Sequence, residues 1–229
     1  MAKEPPWWEA FSVIRVHVFC EGQTEETFVR DLLSQHFDEI NIFLNPIVVR
    51  TSKYGKGGIS TYGKIKSQIE KKCKEDPSAW VTTLLDFYGL PSDFPGLQEN
   101  QRMSSIDRAQ AVMKSFQSDI EQENFIAHLV IHEFEGLLFS SPEAFGAWFD
   151  DKKVVNQLTK VREEFDSPEH INDGVATAPS KRIIKICDNY DKVLHGTLIS
   201  LAIGLEAIRS RCSLFNQWIE RIESLQDDQ

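Results

Sequence analysis

Residues 13–28 read VIRVHVFCEGQTEETF, an apolar run followed by an acidic segment. The first eight, VIRVHVFC, are β-branched and apolar enough for a strand that is covered on both faces, as parallel strands usually are. Gly22 follows, and the next residues show apolar side chains at helical spacing, namely Phe28, Leu32, Leu33 and Phe37. The stretch therefore predicts a buried strand that turns directly into an amphipathic helix.

Acidic residues surround this turn. Thr24 is the expected helix cap, and Glu25 and Glu26 fall in the first helical turn, where the helix dipole favours anions. Glu21 stands at the end of the strand itself. Its role depends on acidic residues found much further along the chain.

The same alternation of strand and helix continues to about residue 141. Three further strands are predicted at 45–51, 80–89 and 125–134, and basic and amphipathic helices at 64–74 and 103–121. This order predicts an α/β fold with a mainly parallel, four-stranded sheet that is flanked by helices.

From about residue 142 the sequence predicts helices only. We expect an α/β core over residues 1–141 and a helical C-terminal extension over 142–229 that packs on it. The clearest helical segments are VVNQLTKVREEF, APSKRIIKIC, LISLAIGLEAIRSRC and FNQWIERIESL.

Composition limits the class of protein. The chain has 229 residues, enough for one sizeable core. No apolar run approaches the ~20 residues that cross a bilayer, and the N-terminus MAKEPPWWEAF lacks the features of a signal peptide. The four cysteines form no CxxC pair, which is typical of reduced thiols. We predict a cytoplasmic protein without a membrane segment.

The net charge of −10 argues against a protein that coats nucleic acid by bulk electrostatic attraction. Residues 50–74 differ, because eight basic residues stand there against Glu70 alone. This stretch is either a solvated helix face after a loop or a patch that contacts the phosphates of a nucleic acid. The basic residues are Arg50, Lys53, Lys56, Lys64, Lys66, Lys71, Lys72 and Lys74.

Carboxylates end three of the four predicted strands. Glu21 follows the first, Asp86 ends the third, and Glu133 and Glu135 end the fourth. Ligand sites in parallel sheets lie outside the carboxyl ends of the strands. Each acid alone could solvate a strand end or cap a helix. Together they would repel one another without a cation, so we predict a site for Mg²⁺ or Mn²⁺, which prefer carboxylate oxygens.

Several blocks of sequence resemble the uncharacterised bacterial domain-of-unknown-function family 4276. The resemblance runs from about residue 13 to residue 220, and its blocks are EGQTEETF, DFYGLPSDFPG, HEFEGLLF, INDGVATAPSKRI and YDKVLHG. That family is regarded as Toprim-like, related in fold to the catalytic domains of topoisomerases, primases and the overcoming-lysogenization-defect nucleases. The resemblance implies a Toprim-like fold for residues 1–141.

Toprim folds bind Mg²⁺ through a glutamate after the first strand and an Asp-x-Asp pair after the third. By this resemblance Glu21 matches the glutamate and Asp86 the first aspartate. Tyr88 stands at the second aspartate position, and a neutral phenol is a poor ligand for Mg²⁺. Glu133 or Glu135 would then supply the missing carboxylate.

An active site of this kind would cleave phosphodiesters. One or two metal ions would hold the scissile phosphate and lower the pKa of a bound water. Glu25 could complete the metal shell or act as the base. His132 could orient a carboxylate or transfer a proton, or simply be packed. Lys181 could neutralise the phosphate, or be solvated.

Relatives of Toprim nucleases often work with ATPase modules of the ABC type. Residues 58–65, GISTYGKI, come close to a P-loop, but Ile65 stands where a hydroxyl must bind Mg²⁺. The resemblance therefore implies a separate ABC-type ATPase as partner and a role in defence against foreign DNA. The alternative is a non-catalytic subunit that docks onto an ATPase or another protein.

Overall fold

The computed structural model of this chain describes residues 13–50, 61–99, 103–149, 152–172 and 177–227. The strands within these ranges are β1 Ile14–Cys20, β2 Ile42–Val48, β3 Trp80–Asp86, β4 Phe125–Ile126 and β5 Leu129–Val130. Residues 51–60, which contain the basic residues Lys53 and Lys56 and the start of the GISTYGKI segment, lie outside the described residues.

Helices make up most of the remaining structure. A π-helical segment, Val29–Leu33, joins the first two α-helices, and short 3-10 turns occur at Pro142–Ala147, Pro168–His170 and Ser224–Gln226. The α-helices are α1 Gln23–Phe28, α2 Ser34–Glu39, α3 Tyr62–Glu75, α4 Ser105–Ile120, α5 Glu135–Leu138, α6 Lys152–Glu163, α7 Pro179–Ile186, α8 Lys192–Ile203, α9 Leu205–Arg211 and α10 Ser213–Glu223.

The sheet has the strand order β2-β1-β3-β4, and β5 also pairs with β3. All of these pairings are parallel, which confirms the predicted α/β class with a mainly parallel sheet. Cys20 of β1 lies beside Leu84 of β3, and Asp86 lies beside Val130 of β5. The carboxyl ends of β1, β3 and β5 therefore meet at one edge.

The fourth strand differs from the prediction of one strand over residues 125–134. It consists of two short strands, β4 and β5, separated by Ala127 and His128. The hydroxyl of Thr83 causes the interruption: it donates to the carbonyl of His128 at 2.5 Å and accepts from the N–H of His128 at 3.1 Å. A side chain thus takes the place of the backbone ladder at this point.

The cap of the first helix was also predicted wrongly. Gly22, not Thr24, is the N-cap residue. The carboxylate of Glu25, three residues on, accepts the N–H of Gly22 at 2.9 Å, which is one half of a capping box. Because the Glu25 carboxylate accepts the N–H of Gly22, the Thr24 side chain is not needed as a cap. It is buried, with 2 % exposure.

The segment LISLAIGLEAIRSRC was predicted as one helix but forms parts of α8 and α9. Gly204 separates them with φ of +79°, a left-handed value that glycine adopts without steric cost. No single helix of the described residues is long and apolar enough to cross a membrane; α8 and α9 reach such a length and composition only together, across a bend of 86°.

Hydrophobic clusters cover both faces of the sheet. Val16 and Val18 of β1 belong to one cluster and Phe19 to the other, as alternation along a strand requires. Helix α10 packs on the first face, where the rings of Phe28 and Phe215 lie 6.0 Å apart. The described helices after residue 141 therefore share a core with the sheet, and the boundary at 141 stays a prediction.

Candidate functional site

The ends of β1 and β3 bring Glu21 and Asp86 together. The backbone N–H of Asp86 donates to the Oε2 atom of Glu21 at 3.2 Å. Gly89, just beyond β3, has no side chain and therefore leaves room for this carboxylate. A Cβ atom at this position would lie only 3.3 Å from Glu21 Oε1. The pair predicted from neighbouring strand ends is thus in direct contact.

Asp86 connects this pair to the segment after β5. Its Oδ1 atom accepts the backbone N–H of Phe134 at 2.9 Å, at the start of α5. Its Oδ2 atom lies 3.8 Å from the ammonium nitrogen of Lys192. Asp86 is only 6 % exposed, so this carboxyl group works in a largely dry environment.

Lys192 brings a positive charge to the site, a role that was not predicted from the sequence. Its Nζ atom lies 3.1 Å from Oε2 of Glu135, the fully buried first residue of α5. Lys192 begins α8, whose start is fixed by Asp191: the carboxylate of Asp191 accepts the N–H of Leu194 at 2.7 Å. The available signal was the block YDKVLHG, with an N-cap aspartate directly before a lysine.

A close approach of two helices positions Lys192. A Cβ atom at Gly196 would lie 3.2 Å from both the Cγ2 atom of Thr24 and the hydroxyl of Tyr190. Glycine at this position lets α8 pack tightly against α1. This packing brings Lys192 to the same edge as Glu21 and Glu25.

Glu25 and Glu133 each bind a backbone N–H at a helix start. Glu25 accepts from Gly22, as described above, and is 3 % exposed. The Oε2 atom of Glu133 accepts from the N–H of Ser180 at 3.0 Å, in the first turn of α7. Both acids therefore stabilise helix ends, the alternative that the sequence left open, while their charges still act on Glu21.

His132 lies beside the acidic residues in an unusual conformation. Its φ of +66° is rare for a residue other than glycine, and such conformations are concentrated at functional sites. The side-chain amide nitrogen of Asn172 lies 3.1 Å from the ring Nδ1 atom. Because the amide nitrogen donates, Nδ1 accepts, and the neutral ring carries its proton on Nε2. Asn172 therefore fixes the orientation of the ring.

Lys181 does not join these residues. It is exposed on α7 and lines a separate pocket together with residues of α6. Among the described residues no contact joins Lys181 to the acidic residues, and its role beside the scissile phosphate stays a prediction.

The electrostatics show an excess of negative charge. Burial raises the pKa of Glu21, and the charge of Glu25 raises it further. Burial followed by the charges of Glu21 and Glu25 raises the pKa of Asp86, and burial raises that of Glu135. Among the described residues, four carboxyl groups, those of Glu21, Glu25, Asp86 and Glu135, interact with the ammonium group of Lys192, and Glu133 adds its negative charge at Glu21 and Glu135. The site must retain protons or take up a further cation.

The pKa of Lys192 is raised as well, but for a lysine this shift favours the charged form. Burial alone would lower the pKa of Lys192, but the charges of Asp86, Glu135 and Glu25 outweigh it, and the net shift is upward. Lys192 therefore stays charged at neutral pH.

The fit of Mg²⁺ or Mn²⁺ depends on the donor atoms. Across the described ranges, no three His, Cys, Asp or Glu side chains form a group that could hold a metal ion as they stand. The donor chemistry nevertheless fits a hard cation, because Glu21 and Asp86 offer carboxylate oxygens. Glu135 Oε1 is also buried without a hydrogen-bond partner among the described residues. Metal binding would require these carboxylates to move together.

Three lysines of the basic stretch form ion pairs with acidic side chains where the structure describes it. Lys66 binds Asp119 at 2.8 Å and lies 3.7 Å from Glu70. Lys71 and Lys72 both lie within 3.5 Å of Glu75. The described part of residues 50–74 therefore resembles a solvated helix face, and its contact with nucleic acid stays a prediction.

Comparison with known proteins supports one assignment. A family profile described as a domain of unknown function, DUF4276, matches residues 20–223. The match contains Glu21, Asp86, Glu135 and Lys192. No curated protein and no solved structure matches the chain. The relation to Toprim folds and their nucleases stays a prediction. Because the profile covers most of its length, the chain belongs to the DUF4276 family.

Proposed function

We propose that the chain is a metal-dependent phosphodiester-cleaving enzyme of the nuclease class, acting where Glu21, Asp86, Glu135 and Lys192 meet. One observation carries the proposal: acids with raised pKa values converge on a single lysine at the carboxyl ends of neighbouring parallel strands. Clusters of this kind are typical of sites that bind or transform a ligand.

The residues of the site would have different roles in cleavage. Glu21 and Asp86 would hold Mg²⁺ or Mn²⁺, which supplies charge stabilisation and an acidified water when bound. Lys192 would bind a phosphate oxygen and stabilise the charge that develops there. Glu135 would hold Lys192 in place through the 3.1 Å contact. Glu25 keeps the turn after β1 closed, which positions Glu21.

His132 is the candidate for proton transfer. Its Nδ1 atom is occupied by Asn172, so Nε2 is the atom that carries the exchangeable proton of the neutral ring. The resemblance further supports a cytoplasmic protein that acts with a separate ABC-type ATPase in defence against foreign DNA. These last assignments rest on that resemblance alone.

A second candidate is a non-catalytic subunit that docks onto an ATPase or another protein. One observation favours it. The ammonium group of Lys192 already lies beside Asp86 and Glu135, at the position where an enzyme of this class would be expected to hold a metal ion. Tyr88, which replaces an expected aspartate, agrees with this alternative.

Calorimetric titration with Mg²⁺ and Mn²⁺ tests the proposal. We expect heat of binding in the parent protein and none in a Glu21→Gln, Asp86→Asn variant whose circular dichroism and thermal unfolding match the parent. The matched control is Asp38→Asn, Glu206→Gln, which removes two exposed acids. Equal binding in both variants would exclude Glu21 and Asp86 as ligands. Absence of binding in the parent would favour the docking subunit.

A further inference from the structure

A basic pocket lies between α6 and α7, apart from the acidic residues. It has a volume of about 400 Å³, within the range of small-ligand sites. Of the eight described residues that line it, four are cationic and none is acidic. The lining residues are Gln157, Lys160, Val161, Thr177, Lys181, Arg182, Lys185 and Ile186.

The lysines of this pocket lack carboxylate partners. Lys160, Lys181 and Lys185 are exposed, and none forms an ion pair within the part of the chain that the structure describes. Lys181 and Lys185 are four residues apart on α7, so they share a face of the helix. Like charges at this spacing destabilise a helix, and a bound anion would remove the repulsion.

Arg182 is held in place beside them. Its Nε atom donates to the carbonyl of Thr177 at 2.7 Å, and its guanidinium carbon lies 5.2 Å from the ring centre of Phe165. The pocket thus combines one oriented guanidinium with the ammonium groups of three exposed lysines. Phosphate is the anion that this combination suits, because guanidinium and ammonium groups are its usual ligands in proteins.

The pocket is joined to the acidic site through the first turn of α7. Ser180, whose N–H binds Glu133, directly precedes Lys181. Glu133 in turn is close enough to raise the pKa of Glu21 and Glu135. A helix of eight residues is about 12 Å long, so the backbone of each basic residue of α7 lies within that distance of the helix start along the axis.

We propose that this pocket binds a backbone phosphate of the nucleic-acid strand that the carboxylate–lysine site acts on. The choice of a nucleic-acid strand rests on the proposed function. The phosphate chemistry rests on the pocket itself. A strand bound in this way would be held by one phosphate at α7 while another reaches Lys192.

The test measures binding of a short, fluorescent single-stranded oligonucleotide by anisotropy, with EDTA present and salt varied between about 50 and 200 mM. The logarithm of the binding constant falls as the logarithm of the salt concentration rises. In the variant Lys181→Gln, Lys185→Gln this negative slope should become shallower by about 1.4, or ~0.7 for each lost contact. Affinity should fall roughly tenfold. The control Lys114→Gln, Lys152→Gln removes the same charge at exposed positions outside the pocket and should leave the slope unchanged.

Three results would overturn the proposal: no binding by the parent, an unchanged slope in the pocket variant, or an equal loss in the control. Competition by a mononucleotide or inorganic phosphate as effective as that by unlabelled oligonucleotide would assign the pocket to free phosphates and overturn the strand assignment. The same assay in Glu21→Gln, Asp86→Asn separates the two proposals. Binding that persists in this variant shows that the phosphate pocket does not depend on Glu21 and Asp86. If the parent also binds the oligonucleotide but cleaves no substrate with Mg²⁺ or Mn²⁺, the proposed function is contradicted and the phosphate pocket stays assigned.

Discussion

Lys192 Nζ lies 3.1 Å from the Oε2 atom of Glu135 and 3.8 Å from the Oδ2 atom of Asp86. The contact joins the first residue of α8 to the end of β3 and the start of α5. A tethered cation at this position both stabilises buried carboxylates and offers an ammonium group to a ligand. The stability and the chemistry of the site are therefore linked through one side chain.

Replacing Lys192 by methionine should destabilise the protein, because Glu135 and Asp86 would keep buried charge without a counter-ion. Loss of one partner of a buried pair typically costs about 3–5 kcal/mol. Since the Lys192 side chain is 45 % exposed, we expect roughly 2 kcal/mol. Urea unfolding measures the difference. Adding Glu135→Gln should recover part of the loss, and no recovery would contradict the pairing.

Glu133 and Glu21 should respond differently to neutralisation. Glu133→Gln keeps an oxygen for the N–H of Ser180, so stability should change by less than ~0.5 kcal/mol. Metal affinity should fall far less than in Glu21→Gln, because Glu133 acts on the site only through its charge. Calorimetric titration of both variants with Mn²⁺ checks this. Equal losses would make Glu133 a ligand.

Two helical glycines should differ in their tolerance of alanine. Gly63 in α3 has open space around its Cβ position, so Gly63→Ala should stabilise the protein by about 0.5 kcal/mol. Gly196→Ala would crowd the Thr24 methyl and the Tyr190 hydroxyl at 3.2 Å and should cost about 1–2 kcal/mol. Thermal unfolding compares the two. A stabilising Gly196→Ala would mean that α8 does not pack tightly on α1.

His128 should make stability depend on pH. Its ring is stacked on Trp218 with centroids 4.5 Å apart, and burial lowers its pKa to about 3. The unfolded chain takes up this proton near pH 6.5, and the folded protein does not. The contribution of His128 to the free energy of unfolding is therefore complete above pH 6.5 and is lost progressively as the pH drops toward about 3.

The size of this effect can be isolated with His128→Phe. Between pH 6 and 5 the parent should lose about 1 kcal/mol more unfolding free energy than the variant. Unfolding with urea at both pH values gives the difference. An equal loss in parent and variant would show that His128 is protonated in the folded state.

The parts of the fold that depend on local pattern were predicted from the sequence. The apolar run of β1, its turn into a helix, and the acids at the ends of β1 and β3 follow from residues close together in the chain. Parallel pairing then brings Glu21 and Asp86 together, because both follow neighbouring strands.

Features that depend on competition between partners or on distant contacts were missed. The split between β4 and β5 arises because the Thr83 hydroxyl displaces the backbone ladder at His128. The cap at Gly22 depends on which way the Glu25 carboxylate turns. Lys192 reaches the site only because α8 folds back onto α1 with Gly196 at the contact, and no local periodicity reports such a contact.

The proposed phosphodiester cleavage is tested most directly by incubating labelled single-stranded and duplex DNA and RNA with Mg²⁺ or Mn²⁺ and an excess of the protein. We predict cleavage by the parent, a loss of at least roughly a hundredfold in folded Glu21→Gln, Asp86→Asn and in Lys192→Gln, and parent-like rates in Asp38→Asn, Glu206→Gln. The proposed function would be contradicted if the parent cleaved none of these substrates. It would also be contradicted if cleavage were unchanged when Glu21, Asp86 and Lys192 are replaced.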